Sequence, residues 1–129
     1  MQINNYNLTM RFLKNTPQVQ ILYLRLPDGA SDGQGHDLNH SQSLKKLYEG
    51  NAESISTIDG KSTYTLHSLT DLIAALLKQY APRDIRVLDF RSPVPKDGEF
   101  DGEHADHAIT ARLVVDVVEK EKIVGEVRG

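Results

Sequence analysis

Residues 108–118 read Ala-Ile-Thr-Ala-Arg-Leu-Val-Val-Asp-Val-Val. Ile109, Ala111, Leu113, Val115 and Val117 share one parity, and Thr110, Arg112 and Asp116 mark the other. Successive side chains of a strand point to opposite faces, and branched residues fit a pleated surface. The stretch is therefore expected to be a half-buried strand, with a sheet growing around it.

Upstream, Ile85 to Phe90 (IRVLDF) reads as a neighbouring strand. Downstream, the charged tail from Glu119 is expected to turn and add a short edge strand through Ile123, Val124 and Val127. Between Ser92 and Asp106 lies a long loop with Pro93 and Pro95, followed by acidic residues.

The preceding element is a helix over about 69–80. Leu69, Leu72, Ile73, Leu76, Leu77 and Tyr80 form one apolar stripe at helical spacing. Ser68 is the expected N-cap, with Asp71 in capping-box position, and Pro82 ends the element. Ile55 to Leu66 carries Asp59-Gly60 between two strand-like runs, the signature of a two-residue hairpin turn. A short helix is expected around Leu44 to Tyr48, ending at Gly50.

Nearer the start, Tyr6, Leu8, Met10 and Phe12 alternate with polar residues, and Val19 to Leu26 (VQILYLRL) is rich in branched and aromatic side chains. These two strands should form an antiparallel hairpin, with Pro17 outside the ladder. Residues 28–43 are dominated by Gly, Asp and Asn and read as a long polar loop. The expected fold class is α+β. It is a single domain with a mostly antiparallel sheet of five to seven strands and one principal amphipathic helix on one face.

The 129 residues fit one domain able to bury a core without staples. The absence of cysteine excludes disulfides, thiolate catalysis and Cys-based metal sites. A net charge of −3 argues against a bulk nucleic-acid binder. The N-terminus, MQINNYNLTMRF, lacks the charged and apolar regions of a secretory signal, and no apolar run approaches a membrane span. A soluble, cytoplasmic protein is expected.

Four features bear on function. Four of the five histidines lie in the two long loops: His36 and His40 in GQGHDLNH, His104 and His107 in GEFDGEHADH. With Glu103 and Asp106 beside them they are candidate metal ligands. A metal joining the loops must order them, at roughly 1–2 kcal/mol per residue of backbone. Ligation without thiolates should supply less than the roughly 10–16 kcal/mol of small zinc modules, unless the fold already holds the loops in place. No tightly held metal and no cofactor is expected. The run Asp97-Gly-Glu-Phe-Asp-Gly-Glu103 opens like a calcium loop, but its twelfth position is Ala108 where a bidentate Glu is needed, and no helices flank it.

The third feature is an arginine set. Arg11, Arg25, Arg86 and Arg112 fall on the outward parity of their expected strands, with Thr9 and Tyr23. Such a face would suit phosphates or bases. The fourth is Val19 to Leu26, apolar on both parities, which needs cover on its second face from this chain or a second copy. No phosphate loop, nucleophile elbow or H-E-x-x-H motif is present, so no catalytic residue is assigned. The leading expectation is a non-enzymatic protein acting through protein contacts, as an adaptor or assembly subunit, with a homodimer as its simplest partner arrangement. Metal or small-ligand binding by the two histidine loops, enzymatic or not, comes second. Nucleic-acid binding by the arginine face comes third.

Overall fold

Residues 108–118 are helical. The computed structural model, which describes residues 1–100 and 102–129, places them in the helix Ala105–Glu121, labelled α3. Asp101, inside the acidic run that resembles a calcium loop, lies outside the described residues. The expected strand is overturned for a definite reason. Ile109, Leu113 and Val117 are spaced by four, which satisfies a strand face and a helix face alike. Ala105 and Ala108, buried with them, extend the pattern at helical spacing. No glycine or proline interrupts Glu103 to Val124. His104 caps the start by accepting from the Asp106 N–H at 3.1 Å, and Lys122 ends the helix in the left-handed region, φ 52°.

Two further α-helices occur among the described residues. Helix α1 spans Leu44–Tyr48, with the Ser43 hydroxyl accepting from Lys46 N–H. Helix α2 spans Leu66–Tyr80 and starts earlier than its apolar stripe alone implied. Thr65 is the N-cap, and Ser68, expected there, is the reciprocal partner. The Ser68 N–H donates to Thr65 Oγ1 at 3.0 Å, and the Thr65 N–H to Ser68 Oγ at 2.9 Å. Leu69 and Leu72 are buried, Ile73, Leu76 and Leu77 are half-buried, and Lys78 and Gln79 are exposed.

The chain is α+β, but its strands do not form one sheet of five to seven. They form four two-stranded sheets among the described residues. Antiparallel pairs join β1 (Gln2–Ile3) to β2 (Tyr6–Asn7), β3 (Thr9–Leu13) to β4 (Thr16–Tyr23), and β5 (Ile55–Ser56) to β6 (Thr63–Tyr64). The strand expected over 85–90 is shorter, β7 (Asp84–Arg86), and pairs in parallel with β8 (Glu126–Arg128). Helix α3 is therefore the crossover of a β-α-β unit. With α3 helical, the expected sheet loses its centre, and a second long helix replaces it.

Pro17 lies within the bounds of β4 but outside its ladder, as expected: the register steps from Leu13↔Thr16 to Phe12↔Gln20 and leaves residues 17–19 without a partner. One detail of the hairpins does differ from expectation. The Asp59-Gly60 turn is wider than two residues, running from Thr57 to Ser62. Asp59 Oδ1 accepts from Thr57 Oγ1 at 2.6 Å and from Lys61 N–H at 3.1 Å.

Helices α1 and α2 both pack on α3. The core between them holds Leu44 and Leu47 of α1, Leu69 and Leu72 of α2, and Ile109 and Leu113 of α3. Ile3, Leu8, Ile55 and Tyr64 close it, and Tyr6 stacks on Tyr64 with ring centroids 4.5 Å apart. No helix among the described residues is long and apolar enough to cross a membrane.

Candidate functional site

The segment after β4 runs against the start of α3. Gly29 N–H donates to Asp106 Oδ2 at 3.0 Å, and Ala105 N–H donates to Ser31 O at 2.9 Å. The approach at Gly29 is close. A Cβ there would lie 2.6 Å from Asp106 Oδ1 and 2.8 Å from the Ser43 Cβ. Asp106 Oδ1 is itself buried and has no hydrogen-bond partner among the described residues. Burial pushes the Asp106 carboxyl above the ordinary carboxylate range, against the Gly29 N–H and His104, which favour the ionised form.

Asp28 brings two of the candidate histidines together. His104 Nε2 lies 3.7 Å from Asp28 Oδ1, and His36 Nε2 lies 3.7 Å from Asp28 Oδ2. Ligand atoms of Asp28, His104 and Asp106 all fall within 4.8 Å of one another. His107 turns aside to Glu103, Nδ1 to Oε1 2.9 Å, although its ring remains 5.0 Å from that of His104. His40 is exposed, and its side chain makes none of the hydrogen bonds or ion pairs among the described residues. The four histidines are thus not one ligand set. Asp28 is the residue that sequence reasoning missed. One aspartate among several in a Gly-rich loop carries no signal that distinguishes it.

The two long loops are held by buried polar contacts. Asp32 Oδ1 accepts from Gln34 N–H and Oδ2 from Gly98 N–H, at 3.1 and 2.9 Å. These bonds hold its carboxyl below the ordinary range. Lys45 Nζ donates to Asp32 O at 3.0 Å and to Asp97 Oδ1 at 2.9 Å. Ser43 Oγ donates to Gly33 O at 2.6 Å.

Away from this cluster in sequence, β3 and β4 form an exposed two-stranded arm. Every residue of β3 is exposed, and so is β4 from Pro17 to Ile21. Met10 is 36% exposed, Phe12 59%, Leu13 57%, Val19 52% and Ile21 54%. Met10 pairs with Leu22 and Phe12 with Gln20 on one face, while Arg11 pairs with Ile21 on the other. Apolar side chains thus stand uncovered on both faces. Tyr80 Oη donates to Gln20 Oε1 at 2.9 Å and ties the arm to the end of α2.

The four arginines are dispersed. Arg11 lies on β3, Arg25 follows β4 at φ 56°, Arg86 lies on β7 and Arg112 on α3. The expected single sheet face carrying them does not exist, because those elements belong to separate sheets and a helix. Arg25 sits 5.5 Å from the Tyr23 ring and 4.0 Å from Asp59, and Arg86 pairs with Asp84 at 3.1 Å. Arg112 donates to Ser92 O.

No protein-family model matches the chain, and no curated protein or solved structure matches it.

Proposed function

We propose that the chain is a non-enzymatic assembly subunit that acts through protein contacts, with the β3–β4 arm as its contact element and a second copy as the partner. The observation that carries this reading is the arm's uncovered apolar side chains on both faces. A lone two-stranded hairpin is marginal in water, and it gains most by adding strands. Strand β4, from Thr16 to Tyr23, contains no charged residue. Edge strands that must stay unpaired are normally protected by charge. In an antiparallel pairing of β4 with its own copy about a two-fold axis, no like charges would face each other. The other edge, β3, carries Arg11, which disfavours its use in this way.

The test is sedimentation equilibrium on the full chain over a range of concentrations, beside the Ile21→Glu variant. The wild type should reach a dimer. Ile21→Glu keeps a favourable partner in Arg11 within the arm but sets like charges on the two copies, and it should remain a monomer with an unchanged circular dichroism spectrum. A wild-type monomer at every concentration, or an equally dimeric Ile21→Glu, would overturn the reading.

A further inference from the structure

We infer that Asp28, His104 and Asp106 form a divalent transition-metal site, with His36 as a fourth ligand, where the 28–36 loop meets the start of α3. Imidazole and carboxylate together suit zinc and its neighbours in the first transition row.

Geometry comes first. Two segments far apart in the chain, one with Asp28 and one with His104 and Asp106, place three ligand atoms within 4.8 Å of one another. The two Asp28–histidine separations, 3.7 Å each, are too long for hydrogen bonds. They lie near the roughly 3.3 Å between two donors on a tetrahedral zinc with bonds of about 2.0–2.1 Å. Side-chain rotation at Asp28 narrows the gap to His104, while His36, which approaches the other Asp28 oxygen and lies outside the three-residue set, must swing further; both side chains are exposed enough to move.

Asp106 supplies the second observation. Its Oδ2 is held by Gly29 N–H, while Oδ1 is buried without a partner among the described residues. Buried polar atoms are rarely left so. Oδ1 packs toward Gly29 and Ser43 and Oδ2 faces His104, so the ion would be held by Oδ2 and would draw the carboxylate out toward His104. The third is preorganisation. The expectation of no metal rested on the cost of ordering two loops. Here the fold already fixes them, through Gly29 to Asp106, Ala105 to Ser31, Gly35 to Gly29 and Ser43 to Gly33.

The proton must move. His104 Nδ1 accepts from Asp106 N–H, so neutral His104 carries its proton on Nε2, facing Asp28. Metal ligation at Nε2 requires the other tautomer. The proton then sits on Nδ1, 4.0 Å from Asp106 Oδ2, and the helix cap is given up in exchange.

The experiment uses the full chain without a histidine tag. Zn²⁺ is titrated by calorimetry, and Co²⁺ by its visible absorption, which reports nitrogen and oxygen ligation directly. One equivalent should bind saturably and raise the unfolding temperature by several degrees. Asp28→Asn, an exposed change that leaves the fold intact, and His104→Gln should each weaken binding by at least about tenfold. His40→Ala should bind as the wild type does. Two results would overturn the site: no saturable binding, or binding that Asp28→Asn and His104→Gln leave intact.

Discussion

The ammonium of Lys45, almost wholly buried, donates to the carboxylate of Asp97, 52 positions along the chain, at 2.9 Å. The same nitrogen donates to the carbonyl of Asp32. One side chain on α1 therefore ties down both long loops.

Replacing it tests that statement. Lys45→Met should cost about 1.5–3 kcal/mol, the range for hydrogen bonds to a charged group. Asp97→Asn should cost less than Lys45→Met, because its carboxylate is exposed and screened. Urea unfolding measures both. Hydrogen exchange should show loss of protection in residues 28–36 and 93–98 in Lys45→Met, and a protection pattern like the wild type's would contradict the tie.

Stability should depend on pH with a defined sign. Asp32 is held below the ordinary carboxylate range by the Gly98 and Gln34 N–H groups, and Asp97 by Lys45. A carboxyl with a lower pKa in the fold binds protons more readily when unfolded. Its contribution is complete above the unfolded value and is lost as pH falls through the folded value. Asp106, raised by burial, runs the other way. Stability should fall from about pH 5 downward, and Asp32→Asn should flatten that limb. Unfolding curves at stepped pH decide it. An Asp32→Asn limb as steep as the wild type's would remove Asp32 as the cause.

The core offers a graded pair. Leu72 is fully buried on α2, and Leu76, one turn on, is half-buried. Leu72→Ala should cost about 2–5 kcal/mol. Leu76→Ala should cost about 1–2 kcal/mol, since less apolar area leaves water on folding. Equal losses would place the buried stripe elsewhere on the helix.

Gly29 is a matter of space. A Cβ there collides with Asp106 Oδ1 and with Ser43, whereas a Cβ at Gly102 meets nothing within 4 Å among the described residues. Gly29→Ala should cost about 1–3 kcal/mol, as overpacking does. Gly102→Ala should stay within about 0.5 kcal/mol. Thermal unfolding of the two variants side by side gives the comparison.

Much of the local structure was legible in the residues. The stripe from Leu69 to Leu77 marked α2, and the run from Leu44 to Tyr48 before Gly50 marked α1. Alternation marked the first strand of the arm, and branched and aromatic content the second. The architecture was not legible, because Ile109, Leu113 and Val117 satisfy two periods at once and the branched valines between them favour the wrong one. Only burial against α1 and α2 decides between the two. The candidate site was half visible. His36 and His104 stood out by type, but their meeting at Asp28 depends on how residues 28–36 cross the start of α3, and no spacing encodes that crossing.

The parallel clasp of β7 and β8 has a kinetic consequence. Asp84 finds Glu126 only after a loop of about forty residues has closed, at an entropic cost that grows with length. The arm closes over Lys14 and Asn15 and needs only about 1–10 μs. A refolding chain therefore presents a finished, uncharged edge strand while its body is still open. Refolding yield should decline as the chain is made more concentrated, and Ile21→Glu, which pairs with Arg11 inside the arm, should recover it. A yield independent of concentration would mean that the arm does not form ahead of the body.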